Sequence, residues 1–240
     1  MKFFINSKQN PKIKFAASLK LNKVRSEHNL FLIEGIKPLK MALELNLVKE
    51  VFTIVELDLP SHINQYIVTK EIIEKLSYSV NPEGIIFISN IPNYEIKGNK
   101  LIYLDNIQDP GNMGTIIRTA LSLGYDGLIY SKGSVSPYNE KVIASTKGAI
   151  FLLPIMEGEL SSFKDDYQIV VSALHQNSIS LDEFKSEDKF VLVLGNEAHG
   201  VSSKTLSLAD AVVEIPLKNM ESLNVAVAGA ILMYELNKNS

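Results

Sequence analysis

Apolar residues recur at helical spacing near the start of the chain and then gather into short unbroken runs. Apolar residues at positions 13, 15, 16 and 19, with lysines next to the first of them, predict a helix that begins at Asn10-Pro11. The apolar run 31–33, followed by Gly35, predicts a short buried strand. The elements predicted after it are helix 37–45, strands 50–55 and 66–68, helix 70–77 and strand 85–88.

A second alternation of strands and helices begins after the polar segment 91–100, which we interpret as a linker because it carries turn-forming residues at both ends. The predicted elements are strand 101–104, helix 113–123, strand 127–130, helix 138–146, strands 168–173 and 190–194, helix 202–208, strand 212–215 and helix 222–237. Strands as continuously apolar as 190–194 favour a mostly parallel sheet covered on both faces. We therefore predict two α/β domains, residues 1–95 and 96–240.

Three polar, turn-rich segments follow strands of the second domain, at 105–115, 195–200 and 216–222. Ligands of open α/β sheets bind at the carboxyl ends of the strands. The first and third segments also precede helices, whose first N–H groups attract anions. These segments are therefore the candidate binding site.

Composition excludes several classes of site. The chain has no cysteine, which excludes disulfides and thiolate chemistry, and its four histidines are too widely spaced to predict a metal site. No apolar run is long enough to span a bilayer, and residues 1–6 become polar too soon for a signal peptide. We expect a cytoplasmic protein without metal or membrane partner.

Charge is distributed unevenly along the chain. Residues 1–40 hold nine lysine and arginine residues against two glutamates, a charge of +7, whereas the whole chain has a charge of −3. This asymmetry is typical of a chain that binds a polyanion at one end, although a solvated lysine-rich helix face gives the same pattern. Arginine is rare, with only Arg25 and Arg118 against 22 lysines.

The polar segments resemble the three ordered motifs of the SpoU (TrmH) family of RNA 2′-O-ribose methyltransferases, in the SPOUT superfamily. The matching residues are Asn112-x-Gly114-x-x-x-Arg118-Thr119-Ala120, then Leu194-Gly195-Asn196-Glu197-Ala198-His199-Gly200, then Ile215-Pro216-Leu217 followed by Glu221-Ser222-Leu223-Asn224-Val225. Residues 10–35 are similar to the ribosomal-protein-like substrate-binding domain that many members carry. The resemblance implies a C-terminal trefoil knot that binds S-adenosylmethionine, a homodimer and an RNA substrate.

The resemblance also implies roles for individual residues. Asn112, near the helix cap, and Arg118, in the second turn, match the reaction centre, with Glu197 either holding Arg118 or positioning a proton acceptor. Taken alone, 109–112 is a turn and Glu197 a surface or capping group. In this family the matching arginine has been proposed as the base that deprotonates the ribose 2′-hydroxyl. A neutral guanidine is scarce near neutral pH, so we expect Arg118 to bind the adjacent phosphate and orient the hydroxyl.

The third motif precedes a helix that is apolar nearly all round. Ser222 reads as its N-cap and Asn224 as a buried amide at its third position, and the resemblance places both beside substrate and cofactor. The residues expected around the cofactor are Leu174, Gly195, Ile215, Leu217 and Leu223. Gly195 is expected to let the cofactor approach the main chain.

The candidate RNA contacts are cations, namely Lys12, Lys14, Lys23, Arg25, Lys141 and Lys147. Two departures from the family pattern stand out: the loop 217–221 is short and lacks glycine, and Ala144 stands where many members have arginine, a contact that Lys147 could replace. Ribosomal RNA is preferred as substrate. The alternatives are transfer RNA, a catalytically silent RNA-binding or ribosome-assembly protein, and base methylation, which the motif spacing disfavours.

Overall fold

The computed structural model describes residues 1–220 and 222–238. They form two compact units. The first comprises Met1–Asn93 with the short segment Tyr138–Ile143, and the second comprises Tyr94–Pro137 and the chain from Ala144 onward.

The first unit is built on a mixed sheet. Its elements are β1 (Lys2–Ile5), α1 (Pro11–Ser18), α2 (Asn22–His28), β2 (Leu30–Glu34), α3 (Ile36–Glu44), β3 (Val48–Thr53), β4 (Asn64–Val68), α4 (Lys70–Leu76) and β5 (Ile85–Asn90). The strand order is β1-β4-β3-β5-β2, in which β1, β4 and β3 are parallel and β5 runs antiparallel to both neighbours. The core lies between this sheet and helices α1 and α4.

Local chemistry explains why some of these elements were predicted and others were not. Asn10 caps α1 by accepting a hydrogen bond from the backbone N–H of Lys12, and Pro11 fills the first helical position, as the sequence indicated. Strand β1 was not predicted, because three of its four residues are exposed and no alternation is visible. Helix α2 was not predicted either, since no side chain caps its first turn.

The second unit is an α/β structure on a parallel sheet. Its elements are β6 (Lys100–Leu104), α5 (Pro110–Ser122), β7 (Gly127–Tyr130), the end of α6 (Glu140–Thr146, of which residues 140–143 belong to the first unit), β8 (Ile155–Glu157), β9 (Gln168–Ser172), β10 (Ile179–Ser180), β11 (Phe190–Leu194), α7 (Ser203–Leu206), β12 (Ala211–Glu214) and α8 (Val225–Lys238). The order is β10-β12-β9-β11-β6-β7-β8, and every described pair is parallel. The predicted mostly parallel sheet is confirmed.

The two helices next to the candidate site begin at different residues from those predicted. Helix α5 starts at Pro110, three residues early, because Asp109 caps it. Helix α8 starts at Val225, three residues late. Strands β8 and β10 escaped prediction because they are only three and two residues long. Within the described part of the chain, no helix is long and apolar enough to cross a membrane.

Candidate active site

The start of α5 fixes the first motif. Asp109 is the N-cap, and its carboxylate accepts a hydrogen bond from the backbone N–H of Asn112 at 2.8 Å. Asn112 is therefore the third residue of the helix, in its first turn and near the cap as the sequence suggested. Because the cap is already supplied by Asp109, the amide side chain of Asn112 is available for other partners.

A chain of side-chain hydrogen bonds joins the three motifs. The Nδ2 of Asn224 donates to Oδ1 of Asn112 at 2.9 Å. The Nδ2 of Asn112 in turn donates to Oε1 of Glu197 at 3.0 Å. The same carboxylate oxygen accepts the backbone N–H of Asp109 at 3.4 Å. Residues more than 80 positions apart in the sequence thus meet at one point.

The direction of this amide chain follows from the cap of α8. The Oδ1 of Asn224 accepts the backbone N–H groups of Ala226 at 2.9 Å and Val227 at 3.3 Å. An asparagine side chain has one acceptor end and one donor end, so its NH₂ group must face Asn112. Asn112 then presents its oxygen to Asn224 and its NH₂ group to Glu197. The cap of one helix therefore orients the donor that reaches the carboxylate.

These contacts correct the interpretation of the third motif. Asn224 is exposed and is itself the N-cap of α8, so it is neither buried nor the third helical residue. Ser222 lies two residues before that cap and is also exposed. The error arose because Ser and Asn are equally good caps, and the sequence does not say which one starts the helix. Glu221 lies outside the described residues.

Arg118 stands apart from the other candidates. It is the ninth residue of α5, in the third turn, and it is exposed. Within residues 1–220 and 222–238, its guanidinium has no hydrogen bond or ion pair. In particular, Glu197 accepts hydrogen bonds from Asn112 and Asp109 and does not bond Arg118. The structure therefore does not show the contact between Glu197 and Arg118 that was one of the two expectations. Among the described residues, nothing competes with a ligand for this cation.

The loop after β11 is shaped by a residue that sequence analysis missed. Asn196 donates from Nδ2 to the carbonyl of Asn106 at 2.8 Å. Its Oδ1 accepts the N–H groups of Ala198 and His199 at 2.9 and 3.0 Å. One side chain therefore folds the loop that carries Glu197 and ties it to the first motif. An asparagine between Gly195 and Glu197 was the available signal.

Two further residues of this region have roles that differ from expectation or were not foreseen. A Cβ added to Gly195 would lie 2.5 Å from the carbonyl carbon of Gly200, so the loop's own packing already requires glycine there; its predicted role in cofactor approach stays a prediction. Asp105 is 7% exposed, and its carboxylate accepts the N–H of Ser202 at 2.8 Å. A polar residue directly after an apolar strand was its only signal in the sequence.

A cavity of about 450 Å³ lies at the carboxyl ends of β9, β11 and β12. This volume is within the range of small-molecule sites. All five residues predicted around the cofactor line it: Leu174, Gly195, Ile215, Leu217 and Leu223. Ser222 and Glu197 line it as well. Glu197 therefore belongs both to the cavity wall and to the amide chain, whereas Asn112, Arg118 and Asn224 lie outside the lining.

Glu214 is another cavity residue that the sequence did not reveal. It ends β12, and one carboxylate oxygen accepts the hydroxyl of Ser178 at 2.5 Å. Ser178 belongs to the segment that connects β9 to β10, and both of these strands pair with β12. The hydrogen bond thus fastens the segment that also carries Leu174, which is 64% exposed at the cavity rim.

The predicted RNA-binding cations of the first unit fall into two groups. Lys14 and Lys23 are exposed, without a side-chain partner among the described residues. Lys12 forms an ion pair with Glu50, and this hydrogen bond raises the pKa of the Lys12 ammonium. Arg25 is only 4% exposed, and it donates to the carbonyls of Leu19 and Lys20 at 3.1 and 2.8 Å.

Arg25 must therefore be removed from the list of RNA contacts. Burial lowers the pKa of its guanidinium, and the bonds it makes hold the corner between α1 and α2. Sequence charge alone does not distinguish a structural cation from a free one. Lys141 and Lys147 are both exposed, and Lys147 has a positive φ of 52° just after α6. Among the described residues, no group of three or more His, Cys, Asp or Glu is arranged to hold a metal ion.

Comparison with known proteins gives matches to both parts of the chain. Residues 99–234 match the model of the SpoU rRNA methylase family, and residues 10–86 match the MRM3-like substrate-binding domain. The 23S rRNA (guanosine(2553)-2′-O)-methyltransferase RlmP of Bacillus subtilis is 33% identical, over 97% of this chain and 98% of that protein. The tRNA (guanosine(18)-2′-O)-methyltransferase of Aquifex aeolicus is 31% identical, over 58% of this chain and 68% of its own length.

Solved structures give the same result. The AdoMet-bound rRNA methyltransferase from Sinorhizobium meliloti aligns with a TM-score of 0.88 at 25% identity, over 99% of this chain and 98% of that one. The SpoU methyltransferase AviRb from Streptomyces viridochromogenes in complex with AdoMet aligns with a TM-score of 0.84 at 23% identity, over 96% of this chain and 98% of that one. The latter likeness concerns the fold.

Proposed function

Since the chain belongs to the SpoU rRNA methylase family, we propose that it transfers the methyl group of S-adenosylmethionine to a ribose 2′-hydroxyl of ribosomal RNA. The observation that carries this proposal is the amide chain from Asn224 through Asn112 to Glu197, which ends on the wall of the cavity. It brings polar groups of all three motifs to the edge of a site that can hold a nucleoside-sized cofactor.

Ribosomal RNA is favoured over transfer RNA by the extent of the matches. The Bacillus subtilis rRNA methyltransferase aligns along nearly the whole chain, including the part that matches a substrate-binding domain. The Aquifex aeolicus tRNA methyltransferase aligns with only 58% of it. Because ribosomal RNA is the proposed substrate, we also propose a cytoplasmic location.

The proposal also assigns a role to each of the two domains. Residues 1–95 recognise RNA and residues 96–240 bind the cofactor, which the two family matches at 10–86 and 99–234 support. We also propose the trefoil knot of this family. It is supported by β12, which lies between β9 and β10, and by α8, which follows β12 and returns to pack on α5 and β11.

The cavity residues fit the cofactor chemically. Leu174, Leu217 and Leu223 supply apolar walls, and the main chain at Ile215 and Leu217 offers the polar groups that read an adenine edge. S-adenosylmethionine, when bound, supplies a methyl group activated by its sulfonium. Every other function in the reaction falls to side chains of the protein and to the RNA.

Those side chains position the RNA and accept the proton of its ribose 2′-hydroxyl. Arg118 grips a phosphate next to the target ribose and steadies the charge that develops on the 2′-oxygen. Glu197 uses one oxygen for Asn112 and Asp109, which leaves Oε2 to accept a hydrogen bond from the hydroxyl. The amide chain holds that carboxylate still, so no reorganisation is needed when the proton of the hydroxyl passes to Oε2 of Glu197.

We propose that the protein is a homodimer formed through α8. Val227, Ile231 and Tyr234 are 50%, 36% and 53% exposed, and their spacing puts them on one face of the helix. Light scattering is expected to give a dimer for the wild type and a monomer for Val227→Glu, because the new carboxylate would be buried without a partner. Val80→Glu, at a position that is 96% exposed, is the control and should remain dimeric. A monomeric wild type contradicts this part of the proposal.

RNA binding is expected to depend on the free lysines of the first unit. The double variant Lys14→Glu, Lys23→Glu should weaken binding to protein-free 23S rRNA and flatten its salt dependence, because fewer counterions are released. Calorimetry should find its affinity for S-adenosylmethionine unchanged. Lys185→Glu, an exposed lysine of the second unit, is the control, and it is compared with each single variant, Lys14→Glu and Lys23→Glu. Equal losses in the three single variants would assign the effect to overall charge and reject residues 1–95 as the recognition domain.

A further inference from the structure

Three aromatic rings form a row across the parallel half of the first unit's sheet. Phe52 of β3 stacks on Tyr66 of β4 with centroids 5.2 Å apart and an interplanar angle of 19°. Tyr66 stacks on Phe3 of β1 at 5.3 Å and 24°. The three residues are direct cross-strand neighbours, since Phe3 pairs with Tyr66 and Tyr66 with Phe52. We call this set the aromatic row.

The aromatic row runs from the core to an open edge. Phe52 is fully buried and Tyr66 is 6% exposed, but Phe3 is 41% exposed. Strand β1 is the edge strand, so within the described residues no further strand lies beyond it. The outermost ring therefore has one covered face and an open position beside it, at the spacing where another flat ring would continue the stack.

Two lysines lie at this edge, and each is paired with a carboxylate. Lys2, the neighbour of Phe3 on β1, pairs with Glu56, and Lys12 of α1 pairs with Glu50. Lys12 sits 5.7 Å from the centroid of the Tyr66 ring, and burial is the main cause that raises the pKa of the Tyr66 hydroxyl, so that ring stays neutral at physiological pH. A flat, neutral aromatic surface with one open side is suited to stacking by another flat ring, such as an unpaired base.

We propose that Phe3 is a stacking platform for an unpaired base of the RNA substrate. This inference rests on the proposed function, and it adds a specific contact that lies outside the matched substrate-binding domain, which begins at residue 10. The base continues the aromatic row as a fourth ring. Stacking tolerates any base, so the contact contributes affinity and leaves sequence choice to other parts of the protein.

Phe4 provides a matched control at the next position. It is 83% exposed, but successive residues of a strand point to opposite faces, so Phe4 lies on the other side of the sheet from the aromatic row. The chain contains no tryptophan. A tryptophan placed at position 3 or 4 is therefore the sole indole fluorophore, and stacking of a base on it quenches its emission.

The experiment titrates Phe3→Trp and Phe4→Trp with a single-stranded oligoadenylate of about ten nucleotides, within the range of such sites. Quenching is expected for Phe3→Trp only. Phe3→Ala should bind this RNA about tenfold more weakly, whereas Phe3→Trp should bind it as tightly as the wild type. The salt slope should stay unchanged in Phe3→Ala, because no charge is removed, unlike in the lysine variants.

Several outcomes would overturn the inference. Equal quenching at both positions, no quenching at position 3, or wild-type affinity in Phe3→Ala would each do so. Concentration-dependent quenching without RNA would show instead that a second copy of the chain pairs along β1. Thermal unfolding of the tryptophan variants checks that the sheet is intact. Methyl transfer by the wild type to 23S rRNA tests the proposed function separately. The proposed function therefore stands even if Phe3 does not contact RNA.

Discussion

Replacing Arg118 with lysine is expected to lower single-turnover methyl transfer on the order of 10²-fold at neutral pH. Lysine retains the positive charge but loses the planar fork that can hold a phosphate with two hydrogen bonds, and a displaced reacting group costs about this much. Because the guanidinium has no partner among the described residues, the substitution should leave the stability of the fold unchanged. A thermal unfolding curve superimposable on that of the wild type is the necessary control.

The pH dependence of the Arg118→Lys variant separates two roles. If Arg118 positions the RNA, raising the pH should recover little activity. If it removes the proton, activity should return as the pH approaches about 10, where neutral lysine amine becomes available. Recovery at high pH would reject the positioning role. Activity close to wild type at neutral pH would remove Arg118 from the reaction altogether.

Replacing Asn224 with aspartate is expected to reduce methyl transfer on the order of 10²-fold while preserving the fold. Aspartate keeps the oxygen that caps α8 and loses the donor to Asn112. Asn112 can turn its amide to face the new carboxylate, but its oxygen would then face Glu197. Either orientation leaves one pair of acceptors in contact, so Glu197 loses its fixed position.

A comparison of two substitutions at this position separates the cap from the amide chain. Asn224→Ala removes both functions and should also cost about 1 kcal/mol of stability, which is typical of a lost N-cap. Asn224→Asp should unfold close to the wild-type temperature. Its affinity for S-adenosylmethionine should change little, because neither Asn224 nor Asn112 lines the cavity. Asn81→Asp, an exposed site, controls for the charge. If Asn224→Asp is fully active, the amide chain has no part in the reaction.

The sequence was most informative where local chemistry is strong. Apolar runs such as Phe190–Leu194 indicated the parallel sheet, and the resemblance brought together five residues that do line one cavity. It was least informative where several side chains of the same chemistry could each have served as the helix cap or as the RNA-binding cation. Ser222 and Asn224 are both good caps, and Arg25 and Lys14 both carry charge. Only the packed structure shows that Asn224 caps α8 and that Arg25 is buried.

The same limit explains why Asn196 and β1 were missed. The local turn that Asn196 makes with Ala198 has a signal in the asparagine itself, but its bond to the carbonyl of Asn106, 90 residues away, has no signature in nearby residues. Strand β1 is stabilised by pairing with β4, more than 50 residues away, and not by any pattern of its own. The roles proposed for the individual site residues remain predictions, and the variants at Arg118 and Asn224 address them directly.

The location of Glu197 has a consequence for anion selectivity. Helix starts attract free phosphate, yet the start of α5 already holds a carboxylate, bonded to Asp109 and Asn112. We therefore expect inorganic phosphate and free nucleotides to bind weakly at this helix start, because two carboxylates already lie there. On the proposed function, an RNA phosphate would instead be bound by Arg118 on the exposed face of α5, so the placement of the phosphates along the RNA would matter as well as their charge.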